Sequence, residues 1–136
     1  MKNSEDRYVL GFREMDVQHE YLYSLFDLIE QSREVSDHKK MDLILKEIDR
    51  YLNYHFTCEE HLMRSYNAPD FALHQSDHET VAMKFFGFLD DFDRNSLNPF
   101  ALRIYLTGWL MEHSKIIDSK YVEWILSKRS EIGSIQ

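Results

Sequence analysis

Five of the seven histidines in this 136-residue chain fall where the surrounding pattern calls for Leu, Ile, Val or Phe. His55 and Glu59 are four residues apart, as are His74 and His78. At about 100° per residue, each pair projects from one helix face about one turn apart, so each pair can chelate a metal ion. His113 and Asp118 are five apart, which on a regular helix would separate them by roughly 140°. If both serve one site, the helix must bend, loosen or carry a one-residue π-bulge between them, and such bulges are frequent at functional sites. His19 adds a fifth imidazole from an earlier apolar stripe. A lone core histidine is more often a hydrogen-bonded structural residue than a ligand, because an unpaired buried polar group is costly. Five of them with two carboxylates cannot readily satisfy one another in one core, whereas metal ions satisfy them all together.

The other two histidines act as controls. His38 lies in the polar run Ser36-Asp37-His38-Lys39-Lys40, and His61 is roughly 240° around the helix from His55, so both are expected in solvent. Cys58, about 60° from His55, flanks the stripe and is expected to pack as a small apolar residue. As the only cysteine, it excludes an internal disulfide and a cysteine-rich zinc site.

Four periodic stretches can position these groups. The first runs from about Val17 to Val35, with His19, Leu22, Phe26 and Ile29 on one face. The second runs from about Met41 to Ser65 and aligns Ile44, Ile48, Tyr51, His55, Glu59 and Leu62. After Asn67-Ala68-Pro69, with Asp70 expected as a cap, a third continues to about Phe92 and aligns Phe71, His74, His78, Val81, Phe85 and Phe88 or Leu89. The last starts near Pro99, a tolerated first-turn proline, presents Leu102, Leu106, Leu110, His113 and Ile117, and continues to about Arg129. Short connections between comparable helices predict an all-α, up-down-up-down four-helix bundle. Residues 1–16 are expected to form an N-terminal arm, and residues 1–136 a single domain.

Composition agrees with a helical protein: 43% hydrophobic and 29% charged residues, with 4 Gly and 2 Pro. The net charge of -8 argues against nucleic acid and anionic membrane surfaces as partners, since both need a basic face. No apolar run approaches the roughly 18 residues that span a bilayer, and the first residues lack the apolar core of a signal peptide. A cytoplasmic location is expected. The oligomeric state is not specified, and a monomer is the starting expectation.

His19 in Asp16-Val17-Gln18-His19, His55 to Glu59 within His55-Phe56-Thr57-Cys58-Glu59-Glu60, His74 to His78, and His113 to Asp118 occur in one order. That order resembles the hemerythrins and bacteriohemerythrins: one His on the first helix, HxxxE on the second, HxxxH on the third and HxxxxD on the fourth. The resemblance spans residues 8 to 121 and matches all seven ligand positions. It implies two non-haem irons, oxo- or hydroxo-bridged, held by His19, His55, Glu59, His74, His78, His113 and Asp118, with Glu59 and Asp118 bridging. His74, His78 and His113 would then complete one iron, while His19 and His55 would leave the other one ligand short, open to dioxygen. Leu110, following Trp109, corresponds to the residue that covers the oxygen pocket, and Phe56 and Leu22 are candidates for its other walls. Tyr121 stands where the family's Tyr hydrogen-bonds the bridging Glu. Tyr8 and Ser114 depart from the usual Trp and aliphatic residue, and neither is expected to touch the ligands.

The implied function is reversible dioxygen binding for transport, storage or delivery, and not enzymatic turnover. The alternatives are an oxygen or redox sensor acting through a separate partner, or a di-iron enzyme acting on peroxide or nitric oxide. Oxygen-activating di-iron enzymes typically use Glu-x-x-His in a carboxylate-rich site, and this chain has no Glu-x-x-His. Structural zinc prefers four ligands, copper and manganese remain open on ligand type, and iron rests on the resemblance.

Overall fold

The computed structural model describes residues 8–32 and 38–135. Its elements are α1 (Arg13–Gln31), α2 (His38–Ser65), α3 (Phe71–Asp93), α4 (Pro99–Glu112), a π-helical turn (His113–Asp118) and α5 (Ser119–Ile135). The residues flanking the π turn, Glu112 and Ser119, keep right-handed helical dihedrals, so α4, the turn and α5 form one continuous rod. With α1, α2 and α3, that rod closes the expected four-helix bundle: α1 packs on α2 and α4, α2 on α3, and α3 on α4. No helix is long and apolar enough to cross a membrane among the described residues.

The element ends are set by local chemistry. α1 starts four residues before the expected Val17 because Asp16 turns back on the arm. Its carboxylate accepts the backbone N–H groups of Leu10 (2.8 Å), Gly11 (3.0 Å) and Phe12 (3.1 Å), and its charge lies at the favourable end of the helix dipole. Gly11, at φ +77°, takes the left-handed turn that delivers those three groups. The expected end of the first helix, Val35, lies outside the described residues. Asn98 caps α4 by accepting from Ala101 N–H at 3.1 Å, with Pro99 at the first position.

Asp70 does not act as the expected side-chain cap. Its backbone is left-handed (φ 63°) and its side chain makes no cap bond; a capping side chain reaches its N–H only from extended backbone. Its carbonyl instead accepts from His74 N–H at 3.1 Å. The last helix also runs beyond Arg129, to Ile135.

Two apolar clusters divide the interior. The larger contains Leu22, Phe26 and Ile29 of α1, Leu45, Ile48 and Leu52 of α2, Val81 and Phe85 of α3, and Leu102, Leu106 and Leu110 of α4. The smaller gathers Phe12, Met15, Met63, Tyr121, Val122 and Ile125. Every rod crosses from one cluster to the other through its ligand candidates: Met15, His19, Leu22; Leu52, His55, Glu59, Met63; Phe71, His74, His78, Val81; Leu110, His113, Asp118, Tyr121. The helices run antiparallel in turn, and their polar groups therefore meet at one level of the bundle.

Some expected core positions moved. Tyr51 and Leu62 are half-buried, while Leu52 and Met63 are buried in their place. Ile117, expected inward, is half-buried because the π turn gives the inner position to Asp118.

Candidate metal centre

The seven ligand candidates converge. His19, His55, Glu59, His74, His78, His113 and Asp118 are each at most 2% exposed. Two groups share Glu59: His74, His78 and His113 on one side, His19 and His55 on the other. Each carboxylate spans the two. Glu59 Oε1 lies 2.9 Å from His78 Nε2 and 3.2 Å from His74 Nε2, and its Oε2 lies 3.4 Å from His55 Nε2. Asp118 Oδ1 lies 2.9 Å from His113 Nε2 and 3.0 Å from His74 Nε2, and its Oδ2 lies 3.4 Å from His19 Nε2. The π turn makes this possible, because its wider winding brings positions five apart onto one face.

Four imidazoles are held from behind. His55 Nδ1–H donates to Gln18 Oε1 at 2.7 Å, and His78 Nδ1–H donates to Glu60 Oε2 at 3.0 Å. His113 Nδ1–H donates to Asp77 Oδ2, and His19 Nδ1 lies 3.2 Å from Ser114 Oγ. A proton fixed on Nδ1 leaves the Nε2 lone pair facing inward, which is the arrangement that orients histidine as a metal ligand. Tyr121 Oη–H donates to Glu59 Oε2 at 3.0 Å. Gln75 Nε2–H in turn donates to Glu60 at 3.0 Å.

Without a cation this arrangement is unfavourable. Nε2 of His113 lies 3.1 Å from that of His74 and 3.2 Å from that of His78, and the Nε2 atoms of His19 and His55 are 3.1 Å apart. Lone pairs at such distances repel unless a positive charge lies among them. An ion with metal–nitrogen bonds of about 2.1 Å at right angles would set its nitrogens about 3.0 Å apart, close to these spacings. Both oxygens of Asp118 are buried without a hydrogen-bond partner among the described residues, a loss of hydration that a metal would offset.

Protonation behaviour tells the same story. Burial disfavours charge on His19 and His74, yet Asp118 and Glu59 push both up to about 9. Against the same burial, Asp118, Asp77 and Glu59 push His113 up to about 12. His55 is lowered, burial outweighing Glu59. Glu59 and Asp118 are held below the usual carboxylate range, against burial, by the imidazoles around them. Burial, with the nearby Glu59 and Asp118, keeps the proton on Tyr121. A metal-free centre would therefore recruit protons for the charge that cations otherwise supply.

The pocket-wall candidates all belong to the larger cluster. Leu22, Phe56 and Leu110 are buried, and Phe56 stacks on His78 with ring centres 3.9 Å apart. Trp109 stacks on His113 at 4.5 Å. His61 and His38 are exposed as expected, although His38 opens α2 and stacks on Phe92. Cys58 is half-buried beside the smaller cluster. Ser114 corrects the sequence reading: its side chain is fully buried and touches His19. Gln18, Glu60 and Asp77 were also missed. Their only sequence signal is that each lies one residue from a histidine.

Comparison with known proteins is consistent along the chain. The family model described as the hemerythrin HHE cation binding domain matches residues 10–125. The bacteriohemerythrin of Pseudomonas paraeruginosa is 23% identical over 122 residues, covering 90% of this chain and 80% of the relative. That of Aquifex aeolicus is 28% identical over 109 residues, covering 77% and 82%. A solved structure of wild-type hemerythrin superposes with a TM-score of 0.78 at 18% identity, covering 89% of this chain and 94% of that one.

Proposed function

The chain belongs to the hemerythrin family, and we propose that it binds dioxygen reversibly at a centre of two non-haem irons, as a carrier, store or delivery protein. The observation that carries this reading is the unequal division of imidazoles around two shared carboxylates: three on one side of Glu59 and Asp118, two on the other. His74, His78 and His113 would hold one iron, His19 and His55 the other, and Glu59 and Asp118 would bridge them. When bound, the ferrous pair supplies two electrons that dioxygen can take up and give back. With one imidazole fewer, the two-histidine side would be the one to leave room for a small ligand.

The chain's own residues favour binding over turnover. Gln18, Ser114, Glu60 and Asp77 keep Nε2 of four histidines directed at the carboxylates. Tyr121 steadies Glu59 and retains its proton, so it serves as a fixed donor and not as an acid. Leu22, Phe56 and Leu110 form a dry wall that keeps out the water and protons able to divert bound oxygen. Five neutral imidazoles against two carboxylates supply less negative charge for high oxidation states than a carboxylate-rich shell would, which supports a carrier over an oxidase.

The test is a metal count with visible spectra of the reduced protein before and after air. Two irons per chain and a visible band that appears with air and disappears under vacuum are expected. A single metal per chain, or oxidation that vacuum does not reverse, would refute the proposal.

A further inference from the structure

Four of the five imidazoles rest on a protein partner through Nδ1. The exception is His74. Its Nε2 faces Glu59 and Asp118, and its Nδ1 has no protein partner among the described residues. His74 is only 2% exposed, yet it lines a cavity of about 410 Å³ between the start of α3 and the π turn. That volume lies in the range of small-molecule sites.

The walls fix the chemistry of an occupant. Met63, Leu73, Ile116, Ile117 and Tyr121 offer apolar surface beside the hydroxyl residues Ser76 and Thr80, which suits a ligand with an apolar body and a polar group. Asp70, Asp77 and Lys120 also line the cavity, with Asp77 Oδ2 accepting from His113 Nδ1–H. An anion would meet two carboxylates for one ammonium, and a cation would meet the Nδ1–H of His74. We propose that this cavity is a second ligand site, distinct from the oxygen pocket, which binds a small neutral aromatic or aliphatic molecule whose carbonyl oxygen accepts the Nδ1–H bond of His74. The assignment of a proton to Nδ1 rests on the proposed metal centre, since a ligand imidazole bound through Nε2 carries its proton there.

Such a molecule would complete the one missing outer contact. An acceptor on the far nitrogen orients a ligand imidazole and raises its basicity. Occupancy of the cavity would therefore be felt at the three-histidine side of the centre, away from the position proposed for dioxygen.

Acetophenone is a suitable probe, and ethylbenzene has the same apolar body without the acceptor. On the metal-loaded protein, calorimetry should show saturable binding of acetophenone, weakened at least tenfold by Ile116→Trp. That residue is on the cavity rim and 56% exposed, so the larger ring can fill the space without entering the core. Leu73→Trp, from the facing helix and 71% exposed, should act alike. By NMR, acetophenone should move the exchangeable Nδ1–H resonance of His74, and ethylbenzene should not. Absence of saturable binding, equal binding to both variants, or the same resonance shift with ethylbenzene would overturn the proposal. Calorimetry reads the cavity whatever metal is present, and the iron count reads the centre, so the two readings fail separately.

Discussion

Tyr121→Phe removes one oxygen from the centre and nothing else. The ring is 1% exposed and packs in the smaller apolar cluster, and phenylalanine preserves that packing, so no cavity opens. What is lost is the 3.0 Å bond to Glu59 Oε2, a neutral donor on a fully buried carboxylate. Hydrogen bonds to charged groups contribute about 1.5–3 kcal/mol. The carboxylate cannot recover a partner from water at this depth, so the upper half of that range is expected for the metal-free protein. For a chain of this size, about 2.5 kcal/mol corresponds to a fall in Tm of roughly 8–12 °C. With metal bound, cations share the charge of Glu59, and the loss should shrink below about half. The assay is urea and thermal unfolding of both forms by circular dichroism, with Glu59→Gln and the double variant closing a cycle. Equal stability of Tyr121→Phe and the parent in the metal-free form, or two losses that simply add in the double variant, would show that the bond does not hold Glu59.

Three further outcomes follow from the same geometry. Ser114→Ala should leave the fold intact but free His19, and loss of the partner behind a ligand histidine typically costs 10–100-fold in metal affinity; chelator should then extract one of the two metals about tenfold faster, and unchanged extraction would show Ser114 to be passive. In the metal-free protein, His19 and His74 have folded pKa values raised from 6.5 to about 9, so their stabilisation is complete below pH 6.5 and is lost as pH rises through 9, with buried His55 working the other way at low pH. Metal loading displaces those protons, so a pH-indicator dye should record proton release between pH 6.5 and 9, and none would mean that the rings start neutral. Asp16→Ala removes the acceptor of three backbone N–H groups and should cost about 1–2 kcal/mol, read by chemical unfolding, with amide exchange faster at Leu10 to Phe12 and unaltered at His55.

Much of the site was legible because helix winding is local. His55 with Glu59 and His74 with His78 share a face through backbone geometry alone, whatever they pack against. The five-residue step from His113 to Asp118 was informative for the opposite reason: a regular helix could not serve both, so the irregularity was required, and it appears as the π turn. The stripe His19, Leu22, Phe26 and Ile29 is buried as its spacing implies. Helix ends were less legible. The start of α1 depends on Asp16 folding back over Gly11, and the cap at Asp70 fails because its backbone is left-handed; neither dihedral is written in hydrophobic periodicity.

By itself, the sequence determined the helical class, the rods and the face of each rod that carries its ligands, because these follow from the 3.6-residue period within single segments. Tertiary structure alone decided how the faces meet. Ser114 and His19 are 95 residues apart, and His113 and Asp77 are 36 apart; their contacts depend on the rotation and axial offset of packed helices, which no local pattern encodes. The same packing divided the oxygens of Glu59 and Asp118 between the two histidine groups. It also placed His74 against a cavity, with no protein partner at its outer nitrogen among the described residues.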